Sequence, residues 1–145
     1  MPVMSQAELR SILPHAGSMC LLHAIEWWDA QGMRCSAISH HDPSNPLRQA
    51  QQLPAICGLE YAAQAMALHC ALTSGKPKPA TGYLGGVRDL RLLVQRLDAV
   101  QDPLRIEAFR IIGDTCAYLY GFRVTAGGKI LLDGRASVFL KWEGS

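Results

Sequence analysis

With 145 residues, 49% hydrophobic and 18% charged, the chain has the composition of one globular domain and excludes a disordered or low-complexity protein. A domain of this size can bury about two thirds of its unfolded surface. The net charge of +2, with no Lys/Arg-dense run, excludes a nucleic-acid-binding face. Five cysteines are an odd number, no two form a C-x-x-C pair, and the N-terminus MPVMSQAELRSILPH lacks the basic-then-apolar order of a secretory signal. Reduced thiols in a cytoplasm are the expectation. Arg88, Arg91, Arg96, Arg105, Arg110, Arg123 and Arg135 recur through the second half. They read as solvated surface, or as a face on which an acidic protein docks.

Residues 5–12, SQAELRSI, read as a short helix with Ser5 as N-cap and Glu8 completing a capping box, stopped by Pro14. Leu21 to Trp28 and Met33 to His40 read as strands about a Gln31-Gly32 turn. After the irregular loop HHDPSNPLRQAQQ, an apolar stretch runs from Leu53 to Leu72. Proline suits a first helical position, so the helix starts near Pro54, and SGKPKP forbids its continuation. The stretch is long enough to span a membrane. Glu60 near its middle costs about 2.5–3.5 kcal/mol there, and Gln64 and His69 add to that, which points to a buried core helix. Cys57 and Cys70 inside it read as small core residues.

Four strands follow: Tyr83 to Val94, Leu104 to Ile112, Cys116 to Thr125 and Ile130 to Trp142. Gly113-Asp114 and Gly127-Gly128 mark two hairpins among the last three. In the last strand Ile130, Leu132, Gly134, Ala136, Val138 and Leu140 share the face expected to be buried. A helix of about 20 residues is about 30 Å long, and one apolar on nearly every side must be covered nearly all round. The expected class is therefore α+β, one domain over 1–145, an antiparallel sheet wrapped around one long helix.

Glu60, Tyr61, Gln64 and His69 are the clearly polar residues of that helix. At about 100° per residue, Gln64 shares a face with Glu60 and His69 points the opposite way. A buried carboxylate is costly unless paired or functional. Desolvation holds a carboxyl in its protonated form, which suits a general acid. A paired core residue or a dimer contact is the alternative.

LPAICGLEYAAQAMALHC resembles the central-helix signature of hot-dog-fold β-hydroxyacyl-carrier-protein dehydratases, matching at Leu53, Pro54, Glu60, Ala63 and Gln64. ILPHAGSMCLL resembles that family's opening motif. GYLGGVRDLRLLVQRL, with Gly85, resembles its glycine-containing strand leading to the substrate channel. The family's G-H-F-P-G histidine has no counterpart: Pro46 stands fourteen residues before Glu60, and Ala55 replaces the usual helix-start glycine. The chain is thus similar to the shorter dehydratase-like hot dogs associated with aryl polyene synthesis.

The resemblance implies dehydration of a β-hydroxyacyl thioester held on an acyl carrier protein, in fatty-acid or polyene-type biosynthesis, with a histidine and an acidic residue contributed by opposite subunits of a homodimer or heterodimer, alone or within a higher oligomer. Glu60 takes the acidic position. His15, His40 and His41 are candidate bases, and His23 stands where the family has aspartate. The Ala55 and Ile56 amides would polarise the thioester carbonyl, Gln64 would orient the acid or line the channel, and Pro54 and Gly85 would border it. Neither cofactor nor metal is required, and Cys20 with His23 lacks convincing ligand spacing. The alternatives are a non-catalytic acyl-binding subunit of a heteromeric dehydratase and an acyl thioesterase.

Overall fold

The computed structural model describes residues 3–12, 20–75, 81–113 and 117–141. Pro14, His15 and Cys116 lie outside the described residues. Helix α1 (Gln6–Ile12) is followed by strands β1 (Ala24–Trp28) and β2 (Gly32–Ala37). A 3-10 turn (Ser39–His41) and a loop lead to a second 3-10 turn (Ala55–Cys57) and the central helix α2 (Gly58–Ser74). Then come β3 (Thr81–Leu92), β4 (Leu104–Gly113), β5 (Ala117–Ala126) and β6 (Lys129–Lys141). At the start of α1 the Ser5 N–H and hydroxyl both donate to the Glu8 carboxylate, at 3.3 and 3.0 Å, which supplies the acidic half of the capping box.

The six strands form one antiparallel sheet in the order β1-β2-β4-β5-β6-β3. Strand alternation sends Leu104, Ile106 and Ala108 of β4 and Tyr118, Tyr120, Phe122 and Val124 of β5 inward, where they are buried. Leu132, Ala136, Val138 and Leu140 of β6 join them, against Tyr61, Ala62, Ala65, Met66, Leu68 and Cys70 of α2. Each large apolar side chain so covered contributes about 1.5–3 kcal/mol. At its start the helix meets the sheet closely because Gly58 has no side chain. A Cβ at Gly58 would lie 2.6 Å from Leu132 Cδ2. The helix ends at Gly75, whose φ of +70° gives a left-handed cap.

Several expectations shift. β1 starts at Ala24 rather than Leu21, because the Leu21 N–H bonds to the Gln64 side chain rather than to a neighbouring strand. β2 stops at Ala37, and residues 39–41 turn so that His40 reaches the 100–102 segment. A register shift between Val124 and Thr125 buries Leu131 and leaves Ile130 38% exposed. The basic residues of the second half are not simply solvated. Along one cross-strand row, Arg34 stands opposite Glu107, Glu107 opposite Arg123, Arg123 opposite Asp133, and Asp133 opposite Arg91. Arg91 reaches Asp133 at 2.5 Å, Arg123 reaches Glu107 at 3.7 Å, and Arg34 and Arg105 both meet Glu26. Such exposed pairs contribute roughly 0–1 kcal/mol each, and they spend the charges that an acidic partner would otherwise meet.

Candidate active site

The lead-in to α2 is fixed by a backbone splice. The Leu97 N–H donates to the Leu53 carbonyl at 2.8 Å, and the Ala55 N–H to the Gln95 carbonyl at 3.0 Å. The Leu53 N–H donates to Asp98 Oδ1 at 2.8 Å. Arg96 pairs with the same carboxylate and holds it well below the usual carboxylate range. Pro54, extended at φ −58°, sits in the middle of this splice, bridged to Arg96. One expectation is corrected here: the Ala55 amide is not free to polarise a carbonyl, because Gln95 already takes it. The Ile56 N–H has no partner among the described residues, and its side chain is 45% exposed.

Glu60 lies one turn beyond Ile56. Within the chain it is exposed, not buried, which corrects the expectation of a helix covered on nearly every side. The sheet covers the face of Tyr61, Ala62 and Ala65, and the face of Glu60 is left open. Two exposed residues, Ile56 and Glu60, thus lie together at the positive end of the helix dipole. Desolvation of this carboxyl requires a surface from outside the chain.

Beside Glu60, the same stretch of helix carries a buried polar network. The Ser39 hydroxyl donates to the Leu21 carbonyl at 2.7 Å and so accepts from the Tyr61 hydroxyl at 2.8 Å. Tyr61 in turn accepts from Asn45 Nδ2 at 3.1 Å, and burial pushes its hydroxyl's pKa up. Gln64 Oε1 accepts from the Leu21 N–H at 2.9 Å, which ties α2 to the end of the opening motif. Arg48 clamps the intervening loop through three carbonyls, those of Asp42, Gln51 and His40, at 2.8–3.0 Å.

Beside this network opens a cleft of about 500 Å³, lined among others by Arg10, Cys20, His23, His41, Asp42 and Asn45. Glu60 is not among its lining residues. His41 is exposed, and its Nε2–H donates to the Val100 carbonyl at 2.6 Å. His40 is fully buried, and its Nε2–H is shared between the Val100 and Asp102 carbonyls at 3.1 Å each. Burial holds the His40 imidazole below its usual pKa. Gly85 lies in a bulged part of β3 where a Cβ would come within 2.4 Å of the Phe139 ring.

At the far end of α2, His69 points to the opposite side, as its spacing predicts. Its Nε2–H donates to the Asp29 carbonyl at 2.7 Å, so its Nδ1 accepts from the Tyr120 hydroxyl at 2.7 Å. The Tyr120 oxygen then receives Arg110 at 3.0 Å, and Arg110 also reaches Thr73 at 2.7 Å. Burial raises the Tyr120 pKa and lowers that of His69. Asp98, Asn45, Arg48, Tyr120 and Arg110 all escape a reading by motif. Their partners lie up to 51 residues away in sequence, and no local spacing signals them.

One sheet wound about one long helix defines a hot-dog-fold protein. The match to the ApeP-like family model, described as ApeP dehydratase, runs over residues 7–143, and the chain belongs to that family. Among solved structures, the dehydratase heterocomplex ApeI:P from Xenorhabdus doucetiae is similar with a TM-score of 0.83 at 21% identity, over 99% of this chain and 93% of that one. The E. coli PaaI protein of the phenylacetic acid degradation operon aligns with a TM-score of 0.58 at 14% identity, over 79% and 80%. A hypothetical thioesterase with coenzyme A from Streptococcus pneumoniae gives 0.58 at 14%, over 83% and 87%. These likenesses extend to the fold. No curated protein matches the chain. The helix over Ala55–Ser74 is long and apolar enough to cross a membrane, but two thirds of it is buried against the sheet, as a core helix would be.

Proposed function

We propose that this dehydratase-family chain acts on β-hydroxyacyl thioesters carried by an acyl carrier protein in polyene-type biosynthesis, in the cytoplasm, at a site completed by a second hot-dog chain. The observation that carries this reading is the exposed Glu60, one turn beyond the unbonded Ile56 amide on a helix whose other faces are buried. A partner surface laid over it would desolvate the carboxyl and leave it able to donate a proton to the leaving hydroxyl. The Ile56 N–H, at the helix start, would stabilise the enolate-like oxygen. A neutral imidazole has to remove the α-proton. Of the described histidines, His41 suits this best: it is exposed, faces a cleft, and its Nε2–H is anchored on Val100, which leaves Nδ1 as the lone pair. That Glu60 lies outside this cleft supports an acid and a base contributed by different chains. Gln64, through Leu21, would steady the cleft wall, and Pro54 and Gly85 would border the acyl path.

The partner can be a second copy or a different hot-dog chain. The heteromer is favoured because the similar X. doucetiae protein is a heterocomplex. β3, an edge strand of the sheet, offers the open ladder on which such a chain can pair. The test is turnover of a 3-hydroxyacyl carrier-protein thioester by this chain alone and by the chain co-purified with its partner, with wild-type and Glu60→Gln forms. Loss of α,β-double-bond formation in the variant is expected. Wild-type turnover by the variant sinks the assignment, and release of free thiol in place of dehydration favours a thioesterase.

A further inference from the structure

The 3-10 turn Ser39–His41 carries two adjacent imidazoles with opposite surroundings. Their ring centroids lie 3.9 Å apart at a 35° tilt, and both Nε2 atoms meet the same oxygen, that of Val100. A carbonyl oxygen only accepts, so each Nε2 carries a hydrogen and each neutral ring has its lone pair on Nδ1. The second contact of His40, to the Asp102 carbonyl, staples the 100–102 segment to the turn, and the Arg48 guanidinium holds the His40 carbonyl at 3.0 Å. His40 Nδ1 is buried without a hydrogen-bond partner, so this ring cannot meet a substrate. A buried unsatisfied acceptor costs about 1–3 kcal/mol, which a residue of packing value alone would avoid.

We infer that His40 is a positioning residue for His41: it stacks on the exposed ring and holds the Val100 carbonyl in place, so that His41 keeps its Nε2–H tautomer with Nδ1 directed to the cleft. This rests on the reading of His41 as the base. Without the His40 donor, the Val100 carbonyl loses one of the contacts that orient it, and the outer ring is free to rotate or to exchange tautomers. Small misplacements of a reacting group cost about 10²-fold.

The experiment uses the full chain, with its hot-dog partner for the kinetic arm. Long-range ¹H–¹⁵N spectra of the imidazoles are recorded for wild type, His40→Phe and His40→Gln, with His41 assigned through His41→Asn. The expected result is an Nε2–H tautomer for His41 in wild type, a mixture in His40→Phe, and recovery in His40→Gln, whose amide can still donate to the two carbonyls. On a 3-hydroxyacyl thioester, His40→Phe should lower kcat by about 10- to 100-fold with KM within about twofold, and His40→Gln should stay within about threefold of wild type. An Nδ1–H form in wild type, or an unchanged tautomer in a folded His40→Phe, overturns the inference. If His40→Phe does not fold, His40→Met, which also lacks a donor, is read in the same way. Wild-type turnover by His41→Ala would instead remove His41 as the base while leaving the tautomer result to stand by itself.

Discussion

At its start the central helix presents Glu60 and the free Ile56 amide to the outside, whereas at its end His69, Cys70 and Thr73 are woven into the sheet through Tyr120 and Arg110. The far end is held by a chain of hydrogen bonds: Arg110 to Tyr120, Tyr120 to His69, His69 to the Asp29 carbonyl. It holds the helix in place and presents nothing to a ligand. The near end has its backbone fixed by Asp98 and the Gln95–Leu97 splice, yet keeps one carboxyl and one amide unspent. The same helix thus separates unpaired from paired polar groups along its length. A reaction centre must keep partners in reserve, and a structural anchor must not.

The largest effect expected is at the near end. Glu60→Gln should lower dehydration by about 10²- to 10⁴-fold while leaving the thermal unfolding free energy within about 0.5 kcal/mol, because an exposed residue is changed. Turnover and melting measured on one preparation test the split, and a large loss of stability would break the comparison. At the far end His69→Leu strands the Tyr120 hydroxyl and the Asp29 carbonyl. It should cost about 2–3 kcal/mol in urea unfolding, with turnover per folded molecule retained.

Gly58→Ala, between the two ends, drives a Cβ to 2.6 Å from a buried Leu132 methyl. Overpacking should outweigh the gain in helix propensity and destabilise by about 1–3 kcal/mol. Acidification acts more gradually. His40 and His69 are both held below their ordinary value of 6.5 in the fold, chiefly by burial, so the unfolded chain takes up protons first as pH falls. Their contribution is complete above about pH 6.5 and is lost progressively below it. Unfolding midpoints at pH 7.5 and 5 should therefore fall in that order, and His69→Leu should flatten the dependence. The smallest effect belongs to the outer face, where Arg123→Ala removes one exposed pair and should change unfolding by less than about 1 kcal/mol.

Much of the fold was legible along the chain. The extents of β4, β5 and β6 follow from apolar alternation bounded by glycine-containing turns, and the end of α2 from Gly75, because these signals act over a few residues; after Pro54 the chain first makes a 3-10 turn, and α2 begins at Gly58. The placement of Glu60 on the central helix was also legible, through the Leu53-Pro54 and Ala63-Gln64 matches around it. Its exposure was not. Helical spacing says which residues share a face, and whether the sheet reaches that face depends on how far β3 and β6 curl. Likewise, nothing in His40-His41 distinguishes the buried ring from the exposed one, since the carbonyls that separate them come from Val100 and Asp102, some 60 residues on.

The sequence by itself determined an α+β fold, one apolar helix, the strands around it and the family to which they belong, because composition and periodicity are local properties that burial then satisfies. Only the tertiary structure decided which polar groups are spent and which are kept. Asp98, Tyr120 and Asn45 are consumed as anchors, while Glu60, the Ile56 amide and one nitrogen of His41 remain open. Hydrogen-bond partners are chosen by distance in space, and the sequence does not encode that distance locally.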